Sequence, residues 1–77
     1  MIENVDLKKV VGENVARLRL QAGLTQTDLA DKIGVTRVHI TRIETGVSSP
    51  SAEVLFALSD ALQVTADALR QIPVLTA

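Results

Sequence analysis

The sequence LTQTDLADKIGVTRVHITRIETG, residues 24–46, predicts two short helices joined by a tight turn. Thr25 stands three residues before Asp28 and just ahead of an apolar run, a spacing typical of a threonine N-cap with an acidic partner at position N3. Gly34 predicts the end of this helix, because glycine readily takes the left-handed conformation found beyond helix C-termini. A second threonine and a second glycine bound the following helix in the same way. The stretch therefore predicts a two-helix unit over about residues 25–45.

A first helix is predicted ahead of this unit, over residues 5–22, because apolar residues recur there at helical spacing. These residues are Leu7, Val11, Val15, Leu18 and Ala22. Asn4 or Asp6 is expected to cap this helix, and Gly23 to end it. Gly12 lies inside the helix and is expected to weaken it by about 1 kcal/mol relative to alanine.

Two more helices are predicted after the unit. The segment GVSSPS, residues 46–51, is a loop, and its Pro50, with Ser49 or Ser51, opens a fourth helix. Thr65 is expected to cap a short fifth helix that runs through Arg70. Pro73 prevents the helix from continuing and leaves an apolar C-terminal tail, residues 71–77.

The composition predicts one helical domain spanning residues 1–77. Hydrophobic residues make up 47% of the chain and aromatic residues 1%, so the core is aliphatic, which suits packed helices better than a sheet sandwich. The absence of cysteine excludes disulfides and thiolate chemistry. The longest apolar run, residues 54–58, is far too short to cross a bilayer, and the N-terminal residues lack a signal-peptide pattern. We therefore expect an all-α five-helix bundle located in the cytoplasm.

The third helix carries an informative mixture of side chains. One side of it is expected to face the core, because it carries Val35, Ile40 and Ile43. The opposite side carries Arg37, Val38, Thr41 and Arg42. An arginine can donate two parallel hydrogen bonds to a guanine edge, and an exposed valine can pack on a thymine methyl group. This outward face therefore predicts contact with DNA bases.

The segment LRLQAGLTQTDLADKIGVTRVHITRIETGVSSPSAEVLFALSDALQVTADAL, residues 18–69, resembles the phage repressor and Cro family of helix-turn-helix proteins, often called XRE-type. The shared pattern is LTQ at the head of the second helix, LA one turn later, GV at the turn, I and IE in the third helix, then G and P before the fourth. Each part alone is uninformative, but the ordered set is specific. The resemblance implies a five-helix bundle with a central helix-turn-helix whose third helix lies in the major groove of double-stranded DNA, as one half of a symmetric dimer.

The resemblance also implies roles for single residues. The base contacts would be Arg37, Val38, Thr41 and Arg42. Gln26 matches a position that binds a backbone phosphate, and Thr36 is expected to do the same with the help of free N–H groups at the helix N-terminus. His39 is expected to flank these contacts or to bind phosphate. Arg19 and Glu44 match a structural ion pair between the first and third helices.

The overall charge of the chain, taken by itself, argues against a nucleic-acid partner. Its net charge is −1 and its pI about 5.7, whereas duplex-binding domains usually carry a basic excess. Residues 25–46 contain three basic and three acidic side chains and are neutral as a segment. If Glu44 turns inward to Arg19, however, the outward face of the third helix carries only positive charge. We therefore expect DNA binding with a shallow salt dependence and weak non-specific affinity.

The apolar tail, residues 71–77, has two interpretations. It is either a frayed terminus or part of a dimer interface that buries a patch exposed in the monomer. We favour a homodimer. The expected interface residues are Val64, Leu69, Ile72, Val74 and Leu75.

Competing interpretations of the same residues stay open. In one, Arg37 and Arg42 are ordinary solvated arginines, the common situation for charged side chains. His39 is the single histidine and has no second ligand at metal-binding spacing, and the carboxylates form no pair suited to acid–base catalysis. We therefore expect no metal, no cofactor, no small-molecule ligand and no enzyme activity.

Together, these features predict a sequence-specific DNA-binding transcriptional regulator that binds an inverted repeat as a homodimer and acts at promoters, including its own. A phage repressor, a restriction-modification controller and an antitoxin are family roles that fit. The competing class is a helical module that keeps the fold but binds a protein through the third helix and the tail.

Overall fold

The computed structural model describes residues 6–72, which fold into five α-helices. The helices are α1 (Leu7–Gln21), α2 (Gln26–Ile33), α3 (Arg37–Glu44), α4 (Ala52–Leu62) and α5 (Ala66–Arg70). The predicted all-α five-helix bundle with a central helix-turn-helix is confirmed, with α2 and α3 as the central pair. None of these helices is long and apolar enough to cross a membrane.

Each helix begins after a short polar side chain that accepts a hydrogen bond from a first-turn backbone N–H, a group with no partner inside the helix. The N-cap residues are Asp6, Thr25, Thr36, Ser51 and Thr65. The predicted first-helix residue Val5 lies outside the described residues. Within them, Asp6 is the cap of α1 and Leu7 is its first helical residue.

The cap of α2 is reciprocal, as the sequence predicts. The Asp28 N–H donates to Thr25 Oγ1 at 2.9 Å, and the Thr25 N–H donates to Asp28 Oδ2 at 2.9 Å. Hydrogen bonding from the Thr25 backbone, followed by that from its side chain, holds the pKa of Asp28 below its ordinary value, because both favour the charged carboxylate. The charged form therefore stabilises the fold above the unfolded-state pKa, and this stabilisation is lost as the pH falls through the folded-state pKa.

Asp28→Ala is therefore expected to lower the Tm at neutral pH. The difference from wild type is expected to shrink below about pH 4, the ordinary aspartate pKa, since protonation removes the same interaction from the wild-type protein. Thermal melts followed by circular dichroism across this pH range measure the effect. Asp28→Asn is the control, because its amide oxygen still accepts the Thr25 N–H without titrating. A pH-independent difference between Asp28→Ala and wild type would contradict this account.

The core lies where α1 packs against α3 and α5, and where α2 packs against α3 and α4. Its fully buried apolar side chains are aliphatic, as the composition predicts. The largest are Val15, Leu29, Ile40, Ile43, Leu58 and Leu69. Leu7 belongs to the predicted apolar stripe of the first helix, but it lies in the first turn of α1 and is 56% exposed. Ala22, at the other end of the stripe, is the C-cap of α1 and is exposed as well, so the stripe joins the core only from Val11 to Leu18.

Gly12 allows α1 and α3 to approach closely. It is buried, and a Cβ atom placed on it would overlap the carbonyl oxygen of Ile43 and lie 2.8 Å from the carbonyl oxygen of Glu44. Because both atoms belong to the backbone, no side-chain rotation relieves the overlap. The glycine that weakens the isolated helix therefore sets the distance between α1 and the C-terminal end of α3.

Asn14 joins α1 to the chain at the end of α5. Its side chain is fully buried, and Nδ2 donates to the carbonyl oxygens of Leu69 at 2.8 Å and Gln71 at 2.9 Å. Its Oδ1 accepts from Arg17 Nη1 at 2.9 Å. These bonds satisfy a buried amide that would otherwise destabilise the core. They also hold the C-terminal end of α5 on α1.

Candidate nucleic-acid interface

The third helix, α3, presents two faces of opposite character. Ile40 and Ile43 are fully buried, and Val35, in the turn before the helix, is half-buried. The exposed residues are Arg37, Val38 and Arg42. Val38 keeps 58% of its surface exposed although it is apolar. Three of the four predicted base-contacting residues therefore share the outward face, and Thr41, which is half-buried, is the exception.

The turn between α2 and α3 sets the direction of α3. Gly34 has a φ of 75°, and the Val35 N–H donates to the Ala30 carbonyl oxygen at 3.0 Å. Thr36 then caps α3, with its Oγ1 accepting from the His39 N–H at 3.1 Å. Because Thr36 is exposed, the N-terminus of α3 lies at the surface, where free N–H groups and the helix dipole favour a phosphate.

Glu44 points inward and pairs with Arg19, in agreement with the resemblance. Arg19 Nε lies 2.6 Å from Glu44 Oε2, and Nη2 lies 3.1 Å from Oε1. Arg19 Nη1 donates to the Leu24 carbonyl oxygen at 2.8 Å. The two charged side chains are 11% and 6% exposed. The single acidic residue of α3 is therefore neutralised inside the domain, and the charged side chains left on its outward face are Arg37 and Arg42.

The side chain of Gln26 lies between Glu44 and Thr41. Gln26 Nε2 donates to Glu44 Oε1 at 3.0 Å, and Gln26 Oε1 accepts from the Thr41 hydroxyl at 3.1 Å. The family resemblance implies a phosphate contact for Gln26 and a base contact for Thr41, and nothing in the sequence predicts that these two side chains contact each other. With Arg19, these residues form one chain of hydrogen bonds from α1 through the first residue of α2 to the middle of α3. We call it the α1–α3 network.

His39 is half-buried in the first turn of α3. Its expected place beside the DNA contacts stays a prediction, as does the phosphate contact of Thr36. Residues 6–72 contain no group of three or more His, Cys, Asp or Glu side chains placed to hold a metal ion.

The residues predicted for a dimer interface lie in different environments. Leu69 is fully buried in the core of a single chain, so its assignment to a dimer interface is wrong. The reason is that α5 has five residues, too few for their spacing to show which side faces the core. Val64 is half-buried against the same core, and Ile72 is 42% exposed. Val74 and Leu75 lie outside the described residues.

Three large exposed apolar side chains were not singled out from the sequence, namely Leu20, Val47 and Phe56. Phe56, the single aromatic residue, lies on α4 and is 59% exposed. Helical spacing places it about half a turn from Val54, Leu58 and Leu62, the side of α4 that packs on the core. Large exposed aromatic side chains are enriched at contact surfaces, so Phe56 joins Ile72 as an apolar candidate for a protein–protein contact.

Fold and surface together define the class, which is the proteins that bind double-stranded DNA through a helix-turn-helix unit. A family model described as helix-turn-helix matches residues 15–69, which include all of α2, α3 and α4. The chain belongs to the helix-turn-helix family of DNA-binding transcriptional regulators.

The chain is similar to named regulators along most of its length. It is 36% identical over 61 residues to an uncharacterized HTH-type transcriptional regulator, y4dJ, of Sinorhizobium fredii. This match covers 79% of the present chain and 79% of y4dJ. It is 32% identical over 59 residues to the cryptic phage CTXphi transcriptional repressor RstR of Vibrio cholerae, which covers 77% of this chain and 53% of RstR. Among solved structures, the restriction-modification controller protein C.AhdI of Aeromonas hydrophila matches with a TM-score of 0.77 and 27% identity, covering 80% of this chain and 94% of C.AhdI.

Proposed function

We propose that this chain acts in the cytoplasm as a regulator that binds an inverted-repeat operator as a homodimer and works by occupying promoter DNA. The observation that carries the proposal is the outward face of α3. Arg37, Val38 and Arg42 are exposed there, while the acidic residue of the same helix is buried against Arg19. A helix face with this chemistry suits the edges of base pairs in a major groove.

The chemistry of base recognition follows from these side chains. A guanidinium group can donate two parallel hydrogen bonds to guanine O6 and N7, a contact worth about 1 to 3 kcal/mol of discrimination against the wrong base. Val38 lies one helical turn before Arg42 and offers a methyl surface to thymine. Thr36 uses its oxygen to cap α3, which leaves its hydroxyl proton for a phosphate. Base contacts and a phosphate contact would then come from the same helix and its N-cap.

The charge balance indicates how this binding responds to salt. The chain carries a net charge of −1, so few phosphates are neutralised when it binds DNA. Because the salt dependence of binding scales with the number of phosphates neutralised, we expect a shallow slope and weak non-specific affinity. The affinity for an operator would then come mainly from base contacts and from binding as a dimer.

Two observations support a homodimer. A single eight-residue recognition helix contacts only a few base pairs, and a two-fold dimer places two such helices about 34 Å apart on one face of the duplex. The exposed apolar side chains of Phe56 and Ile72 supply surface that a second copy could cover. RstR is named a transcriptional repressor and C.AhdI a restriction-modification controller, which supports a role in controlling gene expression. The proposal includes no cofactor, no small-molecule ligand and no catalytic activity.

Selection from a random duplex library with the purified chain tests the proposal. We expect enrichment of an inverted repeat whose half-sites are centred about 10 base pairs apart, with two chains per duplex by sedimentation equilibrium. Enrichment of isolated half-sites bound by single chains would contradict the homodimer. A library with no enriched sequence would contradict DNA binding and favour a protein-binding module.

A further inference from the structure

We propose that Thr41 is a positioning residue that acts through Gln26, and that it does not donate a hydrogen bond to a base. Its hydroxyl holds the Gln26 amide in one orientation, and the remaining amide N–H is thereby directed to a DNA phosphate. This inference rests on DNA binding by α3 and holds whether the chain binds as a monomer or as a dimer.

The hydroxyl proton of Thr41 has acceptors inside the domain. A threonine hydroxyl has a single proton to donate. Thr41 Oγ1 lies 3.1 Å from Gln26 Oε1 and 3.1 Å from the Arg37 carbonyl oxygen, so two protein acceptors compete for that proton. Thr41 is also half-buried, unlike its neighbours Arg37 and Arg42. The proton is therefore already used inside the domain and is not available to a base edge.

The hydrogen-bond partners of the Gln26 amide determine its orientation. Its nitrogen donates to Glu44 Oε1 at 3.0 Å, and its oxygen faces the Thr41 hydroxyl. A flipped amide would bring its oxygen against the Glu44 carboxylate, which can only accept hydrogen bonds. Arg19 holds that carboxylate in place through two hydrogen bonds. Glu44 therefore fixes which amide atom points in which direction, and the Thr41 hydroxyl restrains the amide by donating to the oxygen that faces it.

The Gln26 amide has one N–H group that is not used inside the domain. An amide nitrogen carries two protons, and Gln26 Nε2 gives one of them to Glu44. Within residues 6–72 the second N–H has no acceptor, and Gln26 is half-exposed at the start of α2, beside α3. A phosphate oxygen is an acceptor suited to that N–H. Because a side chain that is already ordered loses less rotamer freedom on binding, the Thr41 hydroxyl strengthens this phosphate contact.

A double-mutant cycle on DNA affinity tests the inference. Wild type, Thr41→Val, Gln26→Ala and the double variant are titrated by fluorescence anisotropy against the selected operator and against its single-base-pair variants. Thr41→Val keeps the shape and removes the hydroxyl. It is expected to raise Kd by about three- to tenfold per bound chain, the effect of one neutral hydrogen bond, and by the same factor on every duplex. In the Gln26→Ala background, Thr41→Val is expected to have no further effect.

Two further variants separate positioning from a general structural effect. Thr45 lies one turn later, and its hydroxyl donates to the Thr41 carbonyl oxygen at 2.8 Å, so Thr45→Val removes the same kind of helical bond away from Gln26. Its effect on Kd is expected to be independent of Gln26. Thr41→Ser keeps the hydroxyl and is expected to keep the coupling to Gln26. Thermal melts of all variants check that the fold is intact.

The outcomes are distinct. A Thr41→Val protein whose preference changes at one base pair would overturn the inference and restore Thr41 as a base contact. A uniform loss of affinity that persists in the Gln26→Ala background would also overturn it, because Thr41 would then act independently of Gln26. Failure of the wild-type chain to select any duplex would overturn the proposed function itself. Binding as a monomer would overturn only the homodimer, since the coupling is measured between variants on the same duplex.

Discussion

Glu44→Ala is expected to lower the free energy of unfolding by about 3 to 5 kcal/mol, because it leaves the Arg19 guanidinium buried without its carboxylate. Arg19 Nε and Nη2 both lose their acceptor, and Gln26 Nε2 loses its acceptor as well. Native proteins have a total stability of about 5 to 15 kcal/mol, so this variant is expected to lose a large fraction of it. Urea unfolding followed by circular dichroism measures the change.

Two further variants are compared with Glu44→Ala. Asp67→Ala breaks the other ion pair of residues 6–72, in which Arg70 and Asp67 are 63% and 88% exposed and 3.8 Å apart, and it is expected to change stability by less than about 1 kcal/mol. The double variant Arg19→Met/Glu44→Leu is expected to be more stable than Glu44→Ala, because it leaves no buried charge without a partner. If Glu44→Ala is as stable as Asp67→Ala, the buried role of Glu44 is wrong.

Gly12→Ala is expected to lower the free energy of unfolding by about 2 kcal/mol or more, since overpacking a core typically costs about 1 to 3 kcal/mol and the overlapping atoms here belong to the α3 backbone. The new Cβ would overlap the Ile43 carbonyl oxygen and force α1 away from the end of α3. That displacement also disturbs the Arg19–Glu44 pair, which spans the same two helices.

The sign of the Gly12→Ala effect is decisive, because helix propensity acts in the opposite direction. In an exposed helix the same change would stabilise by about 1 kcal/mol. Glu13→Ala, at the exposed neighbouring position, is the control and is expected to stay within about 0.5 kcal/mol of wild type. Thermal unfolding of the three proteins measures the difference. A Gly12→Ala protein that is more stable than wild type would show that α1 and α3 are not in close contact at this residue.

Apart from the Arg19–Glu44 pair, which the family resemblance implies, the features that the sequence predicts well depend on residues close together in the chain. The reciprocal cap of Thr25 and Asp28 joins residues three apart, and its chemistry is visible in four consecutive letters. The same holds for the threonine that caps α3 and for the glycine that ends α2. Such local hydrogen bonds form in any helix that has these residues at its ends, so they need no knowledge of how the helices pack.

The features that the sequence does not predict depend on packing between helices. The Gln26–Thr41 contact joins residues 15 apart, and the Asn14–Leu69 contact joins residues 55 apart. The periodicity of α3 places Thr41 on the outward face, but the first residue of α2 covers it. The sequence of α1 predicts only that Gly12 weakens the helix, because the close contact between Gly12 and the backbone of α3 is visible only in the structure. In each case the role of the residue depends on a contact with a residue of another helix, and the sequence of a single helix does not reveal that contact.

The most direct test of the central claim, that the outward face of α3 contacts DNA bases, compares Arg37→Ala with wild type on the selected operator and on all its single-base-pair variants. Fluorescence anisotropy at constant salt gives the Kd for each duplex, and Arg70→Ala, which removes an exposed arginine from α5, is the control. We predict that wild type loses about 1 to 3 kcal/mol at one guanine position and that Arg37→Ala loses this discrimination while keeping the rest of the profile. An Arg37→Ala profile identical to that of wild type at every position would contradict the claim.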